Sequence, residues 1–318
     1  MIRLIMLCGL AGSGKSTIAK KLSKQYDFPI VSSDMIRKEL YGDERIQGNA
    51  TKVFRVAQNK IVNFLKENKS VIFDATNLVS KRRASFISEI KRRIKNDNFS
   101  CVAIVTSTTL QDCFMNNKNR ERQVPENIIK TMVQSFQMPC YQEGFSHILI
   151  KYYNKQDKDK NTIKSIISYD KSINHDTQWH RYTIGKHEEV AGTYIMETHL
   201  NNDSFRIRDK ISLIEATFIH DNGKPFTKTF INSKGEIDEN AHYYGHDSVG
   251  AYRSLWIETS GDMFTIIDRA ILISYHMLLH QYLKDISLDK ALEKLQQKIG
   301  RHYTFLLYEL YQADCYAH

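Results

Sequence analysis

Apolar and polar positions alternate in blocks along the first half of the chain. Short apolar or β-branched runs at 2–8, 29–33, 70–73, 101–106 and 146–150 are bounded by polar residues. Between them, apolar residues recur at helical spacing, as in Phe54, Ala57, Ile61, Phe64 and Leu65. Continuous apolar runs alternating with amphipathic helices predict an α/β domain, a parallel sheet with helices on both faces. Ligands of such sheets bind at the carboxyl ends of the strands. From 187 to 316 helical spacing takes over and strand signals are few, which predicts an all-α second domain. The stretch 155–161 is polar and charged with no apolar period. These patterns predict a domain over 1–153, a linker over 154–174 and a second domain over 175–318. No apolar run approaches the roughly 20 residues of a membrane span.

Composition narrows the class. Of 318 residues, 42% are hydrophobic and 25% charged, an ordinary globular mix that excludes a disordered or collagen-like chain. The net charge of +9 is unevenly spread: residues 1–150 hold 24 Lys+Arg against 13 Asp+Glu, the remainder 21 against 23. A basic first half suits a polyanion such as nucleic acid or nucleotide, or is simply a solvated surface. Histidine divides the other way, with only His147 before residue 150 and eleven from His175 to His318. Because histidine is the commonest metal ligand, the second half reads as metal-oriented. Five cysteines form no CxxC pair, and the short apolar N-terminus runs into a glycine-rich loop without a cleavage site. The expected location is cytoplasmic, with reduced thiols and no membrane partner.

The first apolar run leads into Gly9-Leu10-Ala11-Gly12-Ser13-Gly14-Lys15-Ser16, and a helix follows from Thr17. This is the GxxxxGK[ST] phosphate loop. Gly9, Gly12, Ser13 and Gly14 let successive N–H groups face phosphate oxygens, and the helix start at Ser16 and Thr17 adds its positive end. Lys15 is expected to reach the β- and γ-phosphates of ATP or another NTP, and the Ser16 hydroxyl to bind Mg²⁺. The second strand ends in Ser32-Ser33-Asp34-Met35-Ile36-Arg37, with Asp34 and Arg37 on one helix face. An aspartate there can take a proton from an attacking hydroxyl, and an arginine can clamp a phosphate; a plain helix N-cap at Asp34 is the alternative. The third strand ends in Asp74-Ala75-Thr76-Asn77. A basic segment from Asn117 through Arg120 and Arg122 to Val124-Pro125, then Ile128, Met132 and Phe136 at helical spacing, reads as a lid or as a surface helix hairpin.

Together these motifs resemble the 5′-hydroxyl polynucleotide kinases of phage and bacterial RNA repair, over about residues 1–150. The resemblance rests on GLAGSGKS, SDMIR, DATN and an NxxR…VP…M…F…P lid ending at Pro139. It implies Asp34 as general base toward a 5′-OH, Arg37 on the acceptor's 3′-side phosphate, and Arg120 on the transferring phosphoryl and the nucleotide. One departure stands out: relatives often carry a further lid arginine where this chain has Met115 and Asn116, and Arg122 is the nearby substitute.

The second half holds His220-Asp221-Asn222-Gly223-Lys224-Pro225 at the end of an apolar helical run. Gly and Pro stop the helix, so adjacent His and Asp face one pocket. Imidazole with carboxylate suits Mn²⁺, Fe, Co or Zn²⁺, although any single His-Asp pair is more often a loop or cap. The series His187, His220-Asp221, His246, His276, Asp314 resembles the HD phosphohydrolase superfamily, most closely the branch in tRNA nucleotidyltransferases with HDxGKP and GHxxxGA. Asn222 replaces the usual apolar residue. The resemblance implies His187, His220, Asp221 and Asp314 as ligands of a divalent transition metal (Mn, Co, Ni, Fe or Zn). It places His246 and His276 on phosphate or a second metal, and has Lys224 neutralise phosphate. His180 either lines the substrate side or is a surface histidine beside a core tryptophan, Trp179; His280 and His302 read as structural.

The two resemblances fit one function. The chain resembles bifunctional HD-domain polynucleotide kinase/phosphatases, here with the kinase first. That implies NTP-dependent phosphorylation of 5′-OH ends and metal-dependent removal of 2′,3′-cyclic, 2′- or 3′-phosphate. The expected partner is nucleic acid, RNA by the resemblance, in a bacterial cell or phage-infected host. A separate ligase would act downstream, and a homo-oligomer is compatible with these features. The rival reading is a small-molecule or nucleoside kinase fused to a metal-dependent nucleotidase.

Overall fold

The computed structural model describes residues 2–95, 98–152, 161–203 and 205–318. They form two compact units, Met1–Met132 with Pro139–Tyr153, and Val133–Met138 with Asn154–His318. No helix among the described residues is long and apolar enough to cross a membrane.

The first unit runs β1 (Ile2–Cys8), α1 (Lys15–Tyr26), β2 (Ile30–Ser32), α2 (Ser33–Tyr41), α3 (Ala50–Lys66), β3 (Val71–Asp74), α4 (Ser80–Ile94), β4 (Phe99–Ser107), α5 (Leu110–Lys118), α6 (Glu126–Gln134), whose last two residues fall to the second unit, and β5 (His147–Tyr152). The five strands are all parallel in the order β2-β3-β1-β4-β5. Central β1 and β3 are almost wholly buried, which is why they read as unbroken apolar runs rather than alternating ones. On one face α1 sets Ala19, Ile18 and Leu22 against Ile5, Leu7 and Ile72. On α3 and α4, Phe54 and Phe86 meet Phe73 of β3, with Phe73 and Phe86 stacked at 4.7 Å. A buried ion pair braces the strand ends: Arg83 engages both Glu143 oxygens at 2.7 Å and donates to the Asn77 and Leu78 carbonyls.

The second unit runs α7 (Ile163–Asp170), α8 (Ile184–His199), α9 (Ile207–Phe218), α10 (Lys224–Thr227), β6 (Lys228–Ile231), β7 (Ile237–Tyr243), α11 (His246–Ser254), α12 (Met263–Tyr275), α13 (Met277–Tyr282), α14 (Leu288–Ile299) and α15 (Arg301–Tyr316). α9 packs between α8 and α12, and α15 closes over α8 and α9. Every residue of α12 from Thr265 to Tyr275 is buried. Arg269 lies inside that run with both Nη atoms bonded, Nη1 to Glu215 and the Glu258 carbonyl and Nη2 to the Ser254 and Ile257 carbonyls.

The structure departs from three sequence expectations. The second unit is not all helical, since β6 and β7 form an antiparallel hairpin. Its turn is built by Asn232, whose Oδ1 accepts from the Lys234 and Glu236 N–H groups, with Gly235 at φ 85°; this asparagine turn is the signal that helical counting overlooks. The expected linker is also shorter. Residues 154–160 lie outside the described residues, but α7 follows within the 154–174 stretch and buries Ile166, Ile167 and Asp170 against α8. Finally, the lid stripe is Ile129, Val133 and Phe136, all buried, while Ile128 is exposed. Phe136 and Met138 belong to the second unit, where Phe136 packs on Tyr252 at 5.0 Å and the Met138 N–H donates to Ser274 Oγ at 2.9 Å.

Candidate active sites

At the end of β1 the chain wraps into a phosphate-binding turn. Gly12 and Gly14 sit at φ 79° and 83°, a left-handed backbone that glycine adopts without steric cost. A Cβ at Gly12 would also run into the Cys113 carbonyl. The turn is tied down from several sides. Thr106 donates to the Cys8 carbonyl, so Ser13 Oγ is the donor in its 2.6 Å bond to Thr106. The Gly9 N–H donates to the Thr76 carbonyl, and Asn77, itself at φ 46°, donates to the Leu7 carbonyl. Asn116, standing where an arginine was expected, donates to the Gly12 carbonyl at 3.0 Å.

Lys15 opens α1 but is buried, its Nζ curled back onto the Leu10 carbonyl at 2.5 Å and Ser13 Oγ at 3.4 Å. Burial lowers its pKa; Asp74 opposes this and Arg120 adds to it. An ammonium bonded only to neutral acceptors is short of negative charge, which phosphate would supply. Ser16 and Thr17 are exposed in the first turn of α1.

Asp34 lies in the first turn of α2, where Ser32 rather than Asp34 is the N-cap. Arg37 Nη1 and Arg122 Nη1 each lie 2.9 Å from Asp34 Oδ1. Arg122 is held on a loop that Asn117 staples shut, its side-chain amide bonding both the N–H and the carbonyl of Val124. That staple explains why an asparagine and a Val-Pro pair flank these arginines. Arg120 is exposed on the same loop.

In the second unit the structure brings His187, His220, Asp221, His246, His276 and Asp314 together. His187 lies in the first turn of α8 and His246 opens α11; His276 caps α12 and Asp314 is in the last turns of α15. His220 and Asp221 follow the end of α9, where the Asp221 N–H donates to buried Glu188. Asn222, the unusual residue after the pair, is fully buried and donates to the Ile219 carbonyl. Lys224 Nζ lies 2.6 Å from Asp221 Oδ2.

The donor geometry shows what this cluster can hold. The Nδ1 atoms of His187, His220, His246 and His276 each face a backbone carbonyl, at 2.8–3.3 Å. A carbonyl only accepts, so Nδ1 carries a proton and each ring turns Nε2 inward, a ligand lone pair whenever the ring is neutral. These lone pairs converge on the Asp221 and Asp314 carboxylates. Acceptors facing acceptors need a cation or protons between them. Nε2 of His187 and His220 stand 3.2 Å apart, as do those of His246 and His276. Two nitrogens each about 2.1 Å from one metal stand about 3.0–3.4 Å apart at ordinary ligand angles. The residues therefore fit a divalent metal. Asp221 turns Oδ2 toward His187 and His220 and Oδ1 toward His246 and His276, so the one carboxylate serves both pairs of imidazoles.

The rings titrate differently. Burial pushes His187 down, and His246 down to about 3. Burial also opposes charge on His220, but Asp221 and Asp314 outweigh it and raise its pKa to about 9. Burial alone would raise the Asp221 and Asp314 carboxyls. Lys224 and the histidines around Asp221, and the four imidazoles around Asp314, instead hold both well below the usual carboxylate range.

Four neighbours escaped the sequence reading. His280, taken there as structural, bonds Asp314 Oδ2 at 2.8 Å, and His318 lies 3.5 Å from Oδ1. His175 lies 3.2 Å from Lys224, beside His180 at 3.3 Å. The fourth is Glu188. His318 stands four residues after Asp314, Glu188 is next to His187, and His175 opens a His-Asp pair with Asp176, each a local signal. His302 bonds Arg206, away from the cluster.

Residues 4–139 match the family model of an AAA domain. The first unit has the P-loop kinase fold, and such domains use a nucleoside triphosphate with Mg²⁺. A curated relative, the bifunctional polynucleotide phosphatase/kinase of Schizosaccharomyces pombe, is 25% identical over 148 residues, 46% of this chain and 32% of its own length. The shikimate kinase of Leptospira biflexa is 32% identical over 74 residues, 22% of this chain and 41% of its own. The chain thus spans well under half the length of these relatives. Among solved structures, a fungal RNA kinase aligns with 68% of this chain and 95% of its own at 15% identity and a TM-score of 0.36.

Proposed function

We propose that the chain is a bifunctional nucleic-acid end-healing enzyme. The first unit transfers a phosphoryl group from an NTP to a 5′-OH end, with RNA as the polymer. The second is an HD-type phosphohydrolase that removes a 2′,3′-cyclic, 2′- or 3′-phosphate. A separate ligase would then seal the ends. Four inward-facing Nε2 atoms around two buried carboxylates carry the phosphohydrolase half. The kinase half is supported by a carboxylate set between two guanidiniums beyond a phosphate loop, and by the polynucleotide phosphatase/kinase relative.

In the kinase unit Lys15 leaves the Leu10 carbonyl for the β- and γ-phosphates, and Ser16 offers its hydroxyl to Mg²⁺. Asp34 keeps Oδ1 on the arginines and takes the acceptor proton on Oδ2 as the new O–P bond forms and the bond to the β-phosphate oxygen breaks. Arg37 offers its remaining donors to the acceptor's 3′-side phosphate, and Arg120 balances charge on the transferring group.

In the second unit His187, His220, Asp221 and Asp314 would hold one divalent metal, and His246 and His276 with Asp221 a second. Bound there, the metal supplies Lewis acidity, which acidifies a water and polarises the phosphoryl oxygen. Lys224, fixed beside Asp221, neutralises the phosphate. Asp314 is held ionised by His187, His220 and the other imidazoles around it, and His280 orients it.

The test uses one RNA oligonucleotide with a 5′-OH and a 2′,3′-cyclic phosphate, incubated with ATP, Mg²⁺ and Mn²⁺ and followed by mass. Gain of a 5′-phosphate with opening or loss of the 3′-end phosphate is expected. If neither end changes while free nucleosides or nucleotides react, the chain is instead a small-molecule kinase fused to a nucleotidase.

A further inference from the structure

The second unit carries histidines that the metal cluster does not use. They sit on a loop closed at its base by the bridge between Asn174 and Thr183. The hairpin steadies it: the Ala241 N–H donates to the Asp176 carbonyl at 2.9 Å, the Gln178 N–H to Asn240 at 3.2 Å, and the Tyr243 hydroxyl to the His175 carbonyl. His175 Nδ1 donates to the Tyr182 carbonyl at 2.8 Å, so its Nε2 is free to accept from Lys224. With His180 Nε2 and Asp221 Oδ2, the three protons of the Lys224 ammonium meet three acceptors. The His175 and His180 rings stack at 3.8 Å.

These three acceptors are not equal. Asp221 is a carboxylate, and His175 is buried and pinned by Tyr182. His180 is a partly exposed imidazole tied at Nδ1 to the Thr177 hydroxyl of its own loop at 2.9 Å, the farthest from Nζ and the easiest to replace. A phosphate oxygen is a stronger acceptor for an ammonium than a neutral ring. The residue just before His180 is Trp179, 71% exposed, whereas the chain's other tryptophan, Trp256, is 8% exposed. An indole face bare to solvent, one residue from a phosphate position, suits the π-face of a base, which stacks without regard to base identity.

We propose that this loop is the substrate-recognition element of the second unit: a nucleoside phosphate sets its phosphate on Lys224 where His180 Nε2 now sits, and lays its base on Trp179. The proposal rests on the phosphohydrolase reading of the same site, and it makes the substrate class a phosphate ester with an adjoining base.

The test is binding to the full-length, Zn²⁺-loaded protein, read by tryptophan fluorescence and equilibrium dialysis. Cytidine 3′-phosphate should quench the emission, and inorganic phosphate should bind without doing so. The quench should vanish in Trp179→Phe, and Trp179→Ala should raise the Kd for the nucleotide about tenfold, the scale of one stacked base. His180→Ala should bind inorganic phosphate at least as tightly as the parent, because it releases a proton of Lys224. A quench that persists in Trp179→Phe, a parental Kd in Trp179→Ala, or much weaker phosphate binding in His180→Ala would overturn the proposal. Those results would leave the phosphohydrolase reading standing if the loaded protein still releases phosphate from esters. Failure to bind phosphate, together with no release from any ester, would remove that reading instead.

Discussion

Arg122, from the loop beyond α5, and Asp34, from the first turn of α2, meet at 2.9 Å, and Arg37 bonds the same Asp34 oxygen. Two guanidiniums on Oδ1 orient the carboxylate and leave Oδ2 for a proton. Bonds to charged groups are worth about 1.5–3 kcal/mol. Arg122→Ala should therefore lower kcat/KM for the 5′-OH acceptor by about ten- to a hundredfold while the KM for ATP changes little. Asp34→Ala should lose about 10²–10⁴ in kcat, and adding Arg122→Ala to it should cost little more. Steady-state kinetics on the two single variants and the double variant give the answer. Additive losses would mean that Arg122 acts elsewhere.

Lys15 carries a buried charge whose best partners are a carbonyl and a hydroxyl. Lys15→Met should remove that burial cost. If the cost is about 1 kcal/mol, the Tm of the ligand-free protein rises by about 2–4 °C. ATP with Mg²⁺ at a hundred times its Kd should stabilise the parent by about 2.7 kcal/mol and the variant by far less. Calorimetry with and without nucleotide separates the two effects, and 5′-phosphorylation should be lost in the variant. An unchanged ATP-induced shift would contradict the assignment of Lys15 to phosphate.

Among the described residues, Asp221 is the carboxylate that faces all four imidazoles. Asp221→Ala should abolish phosphate release and lower bound metal while 5′-phosphorylation continues. His280→Ala tests a subtler role, since His280 bonds Asp314 and not the cluster's centre. Loss of such an orienting partner typically weakens metal affinity about 10–100-fold. Metal titration by calorimetry should show that weakening with the same stoichiometry. Unaltered affinity would make His280 a packing residue.

How much of this was legible in the sequence depends on range. The phosphate loop is eight consecutive residues between a strand and a helix, so its conformation is encoded where it is read. The convergence of His187, His220-Asp221, His246, His276 and Asp314 could be suspected from their order, because each sits at a helix end or in an end turn. The His175-Asp176 pair and His280 gave no hint of their partners, since they reach Lys224 and Asp314 across 49 and 34 residues. Their proximity is made by packing. The β6–β7 hairpin was missed for a local reason, a turn built by an asparagine side chain between strands too short to show a clear period. The charge of the first half, by contrast, said nothing of Asp34, whose partners come from two separate segments.

The last prediction concerns Asp170, on the helix α7 that replaces part of the expected linker. Its carboxyl shares a hydrogen bond with that of Glu188, which in turn accepts from the Asp221 N–H. Two carboxyls can bond only when one keeps its proton. Burial raises both pKa values; Asp170 and Asp221 raise Glu188 further, while at Asp170 the Arg253 charge and the bond with Glu188 oppose the rise and Asp221 adds to it. The folded state thus holds a proton that the unfolded chain releases above the ordinary carboxylate range, about pH 4. Stability from this pair is fully present below that range and is lost as pH rises through the raised folded values. Asp170→Asn mimics the protonated acid permanently, so it should keep the bond to Glu188 and flatten the fall in stability between pH 5 and pH 8. Because Glu188 steadies the Asp221 backbone, metal affinity should hold at the alkaline end as well. Thermal melts across that range, with metal saturating, check this directly. A variant whose Tm falls with pH as steeply as the parent's would show that the proton resides elsewhere.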